Sequence, residues 1–509
     1  MKYNKGFTFR ISLIVAMGGF LLGFDSAVIS GTVPFIREYF RMNDMQLGWA
    51  VSCLILGAMM GNLSAGPLSS HFGRKSILII TALLFVISSL GSALATSYAM
   101  LIIARILGGI GVGAAILIAP VYIAEIAPAH KRGQLVSLNQ LNIVIGISAA
   151  YFSNYFLLET GGNNWRWMLG VEVIPALLYF IFLFRVPRSP RWLCKAGKNE
   201  EAFVTLRKIG NEVFAMETMR EIRQSLESKA EKVQWNSLFS KRLRFIMLIG
   251  FAIAFFQQIT GINAIMYYAP TIFEQAGGGT ESSFLQAIIV GFTNLVFTIL
   301  ALYLIDRLGR KMLLMIGTAL MAIALVSTSI AFYQAYYEID EELVLVLQKE
   351  GVSSELIENI SELNQRTYGS EKMMLNEFKA LTGDDDIDEL RPLIVKSTLR
   401  INAIIVLISI LLFVAAFAIS LGPVMWALLS EIFPNYIRGF AISVVGFFNS
   451  LVSFSVTLLF PWELSVIGSA GTFLIYGILA FLAFVFAVRY IPETKGVSLE
   501  NLEKQLIRD

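Results

Sequence analysis

Runs of about 20 apolar residues recur along almost the whole chain, and they constrain its fold more than any other feature. A helix of that length spans a hydrocarbon core of roughly 30 Å. Only 15% of the 509 residues are charged and 56% are hydrophobic, which excludes an ordinary soluble fold. We therefore predict an all-α polytopic membrane protein with twelve spans, at 9–31, 46–70, 76–96, 98–127, 134–158, 166–187, 245–273, 284–305, 311–334, 400–430, 439–461 and 467–490.

Basic residues predict the orientation of these spans. Arg74, Lys131, Arg310 and Arg438 fall in loops on the same side as Lys2 near the N-terminus. Such loops face the cytoplasm by the positive-inside rule, and an even number of spans returns the C-terminus to that side. The first run lacks a small-residue cleavage site and is expected to be a retained helix. The sequence predicts a multi-pass protein of the plasma or inner membrane with both termini in the cytoplasm.

An internal repeat divides the chain into two six-helix halves. The tripeptide Gly-Arg-Lys at 73–75 returns at 309–311. Two hydrophilic segments interrupt the spans, at 188–244 and 335–399. A glutamate and an arginine seven residues apart also occur in both halves, as Glu125 with Arg132 and as Glu431 with Arg438.

The predicted organisation follows from these segments. Residues 1–187 form the N-terminal half, 188–244 a cytoplasmic linker, 245–490 the C-terminal half and 491–509 a cytoplasmic tail. Within the linker, 199–209 and 212–229 have helical spacing but are too short and too polar to insert.

The segment 335–399 is predicted to be an insert on the external side. It holds 15 acidic and 5 basic residues over 338–391. Apolar spacing predicts two small amphipathic helices, one around Leu356, Ile357, Ile360 and Leu363 and one around Met373, Met374, Phe378 and Leu381. Its role is open, and an unknown partner is one possibility.

Three charged residues are predicted to lie well inside the membrane, Asp25 in span one, Arg105 in span four and Glu172 in span six. At about 1.5 Å per residue, Asp25 lies roughly 13 Å below an outer helix end near Pro34, and the other two lie roughly 9 Å below theirs. A charge at the centre of a span costs about 2.5–3.5 kcal/mol on insertion scales. Two carboxylates beside one guanidinium can gain a proton without leaving an unpaired charge, since arginine stays protonated. We interpret the three residues as a candidate proton-coupling site.

A buried ion pair that only fixes helix packing is the alternative interpretation of these charges. Both histidines, His71 and His130, fall in predicted cytoplasmic loops, so neither a histidine relay nor a histidine metal site is expected in the membrane. Carboxylates must then carry any proton.

Neutral polar side chains are typical of the second half. Amides donate and accept hydrogen bonds, as sugar hydroxyls do, and several of these amides are predicted near the middle of the membrane. Trp426 follows a helix-breaking Gly-Pro pair and offers an aromatic face to a sugar ring. Singly, each amide is better explained by an interhelical hydrogen bond, but together they favour a ligand site. The amides are Gln257, Gln258, Asn263, Asn294 and Asn449.

Other classes of function find no support. The glycine-rich stretch 108–113 follows an apolar helix and precedes no Walker lysine, so close helix packing explains it better than nucleotide binding. No nucleophile stands beside a base in any motif, so we expect no enzyme. We expect no cofactor, no metal and no nucleic acid partner.

These motifs resemble the sugar porter branch of the major facilitator superfamily over nearly the whole chain except 335–399. In the first half the resemblance rests on Gly23–Gly31, Gly73–Lys75, Arg105–Gly109, Glu125–Gly133 and Pro187–Leu193. In the second half it rests on Gln257–Asn263, Asp306–Lys311, Gly422–Trp426 and Pro492–Gly496. Bacterial xylose–proton symporters are the most similar in pattern.

The resemblance implies alternating access and assigns roles to residues. It implies that a sugar is bound by Gln140, Gln257, Gln258, Asn263, Asn294, Trp426 and Asn449. It also implies a cytoplasmic ion-pair network that latches the outward-facing state, formed by Gly73, Arg74, Lys75, Glu125, Arg132, Asp306, Arg307, Arg310, Lys311, Glu431 and Arg438. Members that resemble proton symporters have an acid at the position of Asp25, whereas passive glucose carriers have a neutral residue there.

The expected function is therefore proton-coupled symport of a monosaccharide, a pentose or a hexose. Passive uniport of a sugar or a polyol such as inositol is the alternative. A membrane sugar sensor is a remote alternative, since a sensor is expected to have a longer tail than the roughly 19 residues after span twelve.

Two departures from the family pattern affect these expectations. Arg188 replaces a common glutamate, which puts one latch contact in doubt, and Ser450 replaces a common tryptophan, which predicts a wider or less aromatic pocket.

Overall fold

The computed structural model of the chain describes residues 4–128, 131–227, 243–349, 397–434 and 437–496, and from 350–396 it describes 352, 357, 360, 361, 363–369, 371–382, 390 and 393–395. In these residues, twelve helical segments are long and apolar enough to cross a membrane, which confirms the predicted all-α polytopic fold. The first six spans are α1 (Lys5–Tyr39), α2 (Asp44–Phe72), α3 (Arg74–Ala93), α4 (Tyr98–Ile126), α5 (Arg132–Leu157) and, for span six, α6 (Asn164–Gly170) with α7 (Val173–Leu183).

The second half repeats this plan with more breaks. Span seven is α11 (Arg244–Ile259) with α12 (Ile262–Tyr267), followed by α13 (Ala269–Gln275). Span ten is also broken, at the Ser420 position between its two helices. The remaining spans are α14 (Thr280–Leu308), α15 (Arg310–Tyr333), α18 (Ala403–Ile419) with α19 (Leu421–Ile432), α20 (Arg438–Val466) and α21 (Gly468–Tyr490).

Span one is longer than its sequence predicts. The prediction ends it at residue 31, whereas α1 runs through Pro34 and ends at Tyr39. A proline inside a helix removes only one hydrogen bond, and the fully buried Ile36 holds the extra turn in the core. Asp25 is therefore about 21 Å from the outer helix end rather than 13 Å.

Glycines let spans two and four pack closely. A Cβ atom on Gly109 would lie 2.1 Å from the Leu54 carbonyl oxygen, and one on Gly113 would lie 2.0 Å from that of Ala58. No side chain fits at such distances, so the glycine-rich stretch 108–113 is a helix-packing surface in α4.

The linker forms short helices, α8 (Pro190–Lys195), α9 (Asn199–Ile209) and α10 (Glu212–Glu227). The last two match the predicted helices at 199–209 and 212–229 as far as the described residues reach. Their buried side chains, among them Leu206 and Ile209, join the core of the first half.

The insert has its own hydrophobic core, which includes Ile339, Leu343 and Phe378. The predicted helix around Met374 is α17 (Glu371–Thr382), but Met373 is exposed. Ile357 and Ile360 of the other predicted helix are helical, whereas Leu356 lies outside the described residues. The prediction missed α16 (Glu341–Lys349) and a three-stranded antiparallel sheet of order β2-β1-β3, in which β1 is Tyr336–Glu338, β2 is Thr367–Tyr368 and β3 is Leu399–Arg400.

Candidate functional site: a polar cavity and a buried ion pair

A cavity of about 570 Å³ lies between the two halves, near the breaks in spans seven and ten. Its volume is within the range of small-molecule sites. The spans that line it come from both halves, so a ligand inside it contacts both. All seven residues predicted to bind sugar line this one cavity, namely Gln140, Gln257, Gln258, Asn263, Asn294, Trp426 and Asn449.

Four of the amides form one hydrogen-bonded network. The Gln258 Nε2 donates to Asn449 Oδ1 at 3.1 Å, and Asn263 Nδ2 donates to Gln258 Oε1 at 2.9 Å. Asn449 Nδ2 donates to Gln257 Oε1 at 2.9 Å, and Gln257 Nε2 donates to the Leu421 carbonyl at 2.9 Å. This last bond joins span seven to the first residue of the second helix of span ten, beside the break. The network fixes the orientation of the amides at the cavity wall, so their remaining donors and acceptors are preorganised.

Three other predicted residues reach the cavity without joining that network. Gln140 comes from span five, Asn294 from span eight, and Trp426 from the second helix of span ten. The Trp426 side chain is 44% exposed, which leaves its ring face open. Ser450 also lines the cavity, and its hydroxyl donates to the Gly446 carbonyl at 3.1 Å.

Several cavity residues were missed by the sequence prediction. Ser26, Tyr267, Thr298 and Ser453 line the cavity as well. Ser453 Oγ accepts from Asn263 Nδ2 at 2.6 Å. A signal for Ser453 existed, because it lies four residues after Asn449 and so on the same helix face. Tyr267 gave no signal, since a tyrosine in an apolar helix is not distinguishable from a core residue.

Asp25 and Arg105 form an ion pair in the core of the first half. The Arg105 Nη1 lies 2.5 Å from Asp25 Oδ1, and the two side chains are 1% and 2% exposed. The same nitrogen donates to the Asp25 carbonyl at 3.3 Å. A buried pair of this kind avoids the full cost of two isolated charges.

Glu172 lies near this pair but does not join it directly. Its Oε2 accepts from Ser89 Oγ at 3.1 Å, and the side chain is 2% exposed. Its Oε1 and the Asp25 Oδ2 have no hydrogen-bond partner among the described residues, and neither do the Arg105 Nε and Nη2. Two carboxylate oxygens and two guanidinium nitrogens therefore remain open in a buried site.

The motifs predicted to form the cytoplasmic latch make the same contacts twice, once at each half, and none of these contacts joins the two halves. Arg74 Nη2 lies 2.9 Å from Glu125 Oε1, and Arg310 Nη2 lies 2.8 Å from Glu431 Oε1. Ser189 donates to Glu125 and Thr494 donates to Glu431, both at 2.5 Å. The other predicted latch residues make contacts near these pairs. Lys75 Nζ donates to the Phe184 carbonyl, and the Lys311 backbone amide donates to Glu493. Asp306 lies 3.5 Å from Arg310, and the Arg307 guanidinium lies over the Tyr303 ring.

The glutamates and arginines seven residues apart are not ion-paired with each other. Arg132 Nε donates instead to the Ala124 carbonyl, and Arg438 Nε donates to the Phe433 carbonyl, both at 3.1 Å. Each arginine thus binds a carbonyl at the end of the preceding helix, where four acceptors lack intrahelical partners.

Arg188 removes one contact that the second half retains. The Glu493 carboxylate accepts from the backbone amides of Arg310 and Lys311 at 3.1 and 3.2 Å, at the start of α15. In the first half Arg188 stands at the matching position, and its guanidinium lies over the Trp192 ring at 5.5 Å. A guanidinium has no acceptor atom, so Arg188 cannot accept from the backbone amides at the start of α3 as Glu493 does at the start of α15.

Hydrogen bonds join the two halves on the side away from the Gly-Arg-Lys motifs. Tyr151 donates to the Met266 carbonyl at 2.6 Å, and Ser148 donates to the Gly291 carbonyl at 3.0 Å. Tyr155 donates to Glu281 at 3.2 Å. At the ends that carry the Gly-Arg-Lys motifs, no hydrogen bond given above joins the two halves. The halves are therefore joined on the side away from these motifs, and among the described residues the latch expected for an outward-facing state is not formed between them.

Two six-helix halves around a central polar cavity define a secondary membrane transporter. The family model described as "Sugar (and other) transporter" matches residues 11–341 and 392–506. The chain belongs to this sugar transporter family, and its twelve spans have the major facilitator fold. Apart from 1–10 and 507–509 at the two ends, the unmatched residues are 342–391, which lie inside the insert 335–399.

Similar proteins and structures agree with that assignment. The arabinose–proton symporter of Bacillus subtilis is 36% identical over 100% of this chain and 97% of its own length. The D-xylose–proton symporter of Escherichia coli is 36% identical over 99% of this chain and 96% of its own. An inward-open structure of the Escherichia coli xylose transporter has a TM-score of 0.75 at 34% identity, covering 98% of this chain and 99% of that one.

Proposed function

We propose that the chain is a proton-coupled symporter that moves a monosaccharide, a pentose or a hexose, across the cytoplasmic membrane by alternating access. The observation that carries the proposal is the buried Asp25–Arg105 pair with the second carboxylate of Glu172 nearby. The relatives named as arabinose–proton and D-xylose–proton symporters support it.

The charges of the buried group explain how a proton would be held. With both carboxylates ionised, the group of Asp25, Arg105 and Glu172 carries one net negative charge. One proton brings the net charge to zero. The unpartnered Asp25 Oδ2 and Glu172 Oε1 are the atoms open to that proton. A buried net charge is costly, so protonation favours states in which this site is sealed from water.

The neutral cavity supplies the sugar site in this proposal. Gln257, Gln258, Asn263 and Asn449 would donate to and accept from sugar hydroxyls, Gln140 and Asn294 would bind from the facing spans, and Trp426 would lie against a ring face. Because no cavity residue of this set is charged, an uncharged polyhydroxyl ligand fits it better than a sugar phosphate.

Alternating access would then break and remake contacts at the two ends. Opening to the outside requires loss of the Tyr151–Met266 and Ser148–Gly291 hydrogen bonds. The cytoplasmic motifs around Glu125 and Glu431 would meet across the halves in that state. We also propose that both termini lie in the cytoplasm. The proposed organisation is an N-terminal half at 1–187, a linker at 188–244, a C-terminal half at 245–490 and a tail at 491–509. The insert 335–399 is a candidate surface for an unknown partner.

A flux assay in proteoliposomes tests the proposal. A panel of pentoses, hexoses and inositols competes with a labelled sugar, and an imposed proton gradient is applied to the sugar that competes best. We expect gradient-driven accumulation that a protonophore abolishes. Exchange without accumulation would establish passive uniport instead, and no exchange of any panel member would refute sugar transport.

A further inference from the structure

Glu463 is a half-buried carboxylate in the second half that the sequence analysis did not identify. It lies near the outer end of α20, three residues before the helix ends at Val466. The Tyr476 hydroxyl, from span twelve, donates to Glu463 Oε2 at 2.7 Å. The Tyr476 side chain is 2% exposed. Because a buried phenol needs a partner for its hydroxyl, this bond fixes the position of the ring.

The Tyr476 ring packs against the break in span seven. Gly261, at that break, has φ +86°, and a Cβ atom added there would lie 2.4 Å from two ring carbons of Tyr476. The left-handed backbone favours glycine, and the ring occupies the space that a side chain would need. The Phe460 ring lies nearly parallel to the Tyr476 ring, with an interplanar angle of 18° and centroids 6.3 Å apart. The three heavy atoms nearest to such a Cβ atom all belong to the Tyr476 ring, which therefore limits where the glycine can lie.

The break carries cavity residues on both of its sides. Gln258 precedes Gly261 and Asn263 follows it, and the two side chains are hydrogen-bonded across the break at 2.9 Å. A shift of Gly261 would therefore change the distance between two amides of the cavity. Amides must be held within a fraction of an ångström to bind a ligand well, so the support of this break affects affinity.

We propose that Glu463, Tyr476 and Gly261 form an outer brace that positions Gln258 and Asn263 for the sugar. Glu463 and Tyr476 are positioning residues, since neither of them lines the cavity. The inference rests on the proposed function, because it assigns the cavity to a sugar.

Variants that separate the hydroxyl from the ring test the brace. Tyr476→Phe keeps the ring and removes the donor, Glu463→Leu removes the acceptor, and Glu463→Gln keeps an acceptor oxygen. We expect Tyr476→Phe and Glu463→Leu each to raise the KM of equilibrium exchange about ten-fold, with kcat within two-fold of the wild type. Ten-fold corresponds to about 1.4 kcal/mol, near the lower end of what a hydrogen bond to a charged group contributes.

The double variant gives the decisive comparison. Since both single variants break the same hydrogen bond, Tyr476→Phe with Glu463→Leu should raise KM no further than either alone. Glu463→Gln should stay within three-fold of the wild type. Tyr333→Phe and Glu159→Leu serve as controls, because both side chains are exposed and distant in sequence from the break, and they should leave KM unchanged.

The assay measures exchange of labelled D-xylose, L-arabinose and D-glucose by full-length protein in proteoliposomes, using whichever of these the wild type exchanges. Unchanged KM in Tyr476→Phe, multiplied effects in the double variant, or a fall in kcat alone would overturn the brace while leaving sugar transport intact. A wild type that exchanges neither these three sugars nor any other member of the panel would instead refute the proposed function, and the brace with it.

Discussion

Asp25→Asn should separate sugar movement from the proton gradient. The wild-type group of Asp25, Arg105 and Glu172 has a net charge of −1 when no proton is bound and zero when one is bound. Replacing Asp25 by asparagine leaves Arg105 and Glu172, whose charges sum to zero. The variant therefore imitates the protonated state permanently, and its amide oxygen can still accept from the Arg105 Nη1 that lies 2.5 Å from Asp25 in the wild type.

The magnitude follows from the energy of the gradient. One pH unit is worth about 1.36 kcal/mol per proton, so coupling of one proton to one sugar allows accumulation up to about ten-fold. We expect the wild type to approach this ratio and Asp25→Asn to stay at a ratio of about one. Equilibrium exchange needs no net proton movement, so it should remain within about three-fold of the wild type.

The assay uses proteoliposomes with the membrane potential clamped, an external pH one unit below the internal pH, and labelled sugar. Asp44→Asn is a matched control, because Asp44 pairs with Arg37 at 2.7 Å on the surface, where the Arg37 side chain is 51% exposed. Surface pairs contribute little, so this variant should accumulate sugar like the wild type.

Two results would refute the charge reasoning. Ten-fold accumulation by Asp25→Asn would show that the proton binds elsewhere. Loss of both exchange and accumulation, in a variant that purifies as a stable monodisperse protein, would show that a net charge of zero does not reproduce the protonated state.

Three further substitutions test separate parts of the structure. Gln258→Ala removes the centre of the amide network and should weaken sugar competition at least ten-fold. The control Gln286→Ala, near the start of span eight, should leave competition unchanged. Equal sugar affinities in Gln258→Ala and the wild type would exclude span seven from the site. Gly109→Ala places a methyl group 2.1 Å from a carbonyl oxygen of span two, so it should lower the free energy of unfolding by about 1–3 kcal/mol and the melting temperature with it. In the control Gly133→Ala the added methyl group meets nothing within 4 Å, and the melting temperature should not change. Identical melting curves for the two variants would contradict the close packing of spans two and four. Arg188→Glu would give α3 the capping carboxylate that Glu493 provides to α15, and it should stabilise the protein by about 1 kcal/mol. The measurement is a higher melting temperature. A lower melting temperature would indicate that the contact of Arg188 with the neighbouring tryptophan contributes more to stability than the cap.

The sequence predicted the spans well because apolar length is a local property. Each run of about 20 residues is readable without knowing its neighbours, and the internal repeat is readable from the spacing of motifs. The end of span one was wrong, since proline is a weak stop signal when the following turn is buried. The small sheet of the insert was also missed, because β1 and β3 are only three and two residues long and pair across about 60 residues.

The candidate site was predicted residue by residue but not contact by contact. Position along a helix can be counted from the sequence, so Asp25, Arg105 and Glu172 were recognised as buried charges, although the depth counted for Asp25 was too small because α1 continues to Tyr39. Which carboxylate pairs with Arg105 depends on how the helices are rotated about their axes and how they cross. Only the structure places Asp25 on the guanidinium and Glu172 on Ser89.

The same limit explains Glu463. Near the end of a predicted span, a glutamate is expected to reach water, and nothing in its local sequence indicates burial. Its contact with Tyr476 comes from a different helix and is decided by packing in the second half. The sequence by itself determined how many helices cross the membrane and which polar side chains they carry, because both depend on local composition. The tertiary structure alone decided which of those side chains meet, because that depends on contacts between segments far apart in the chain.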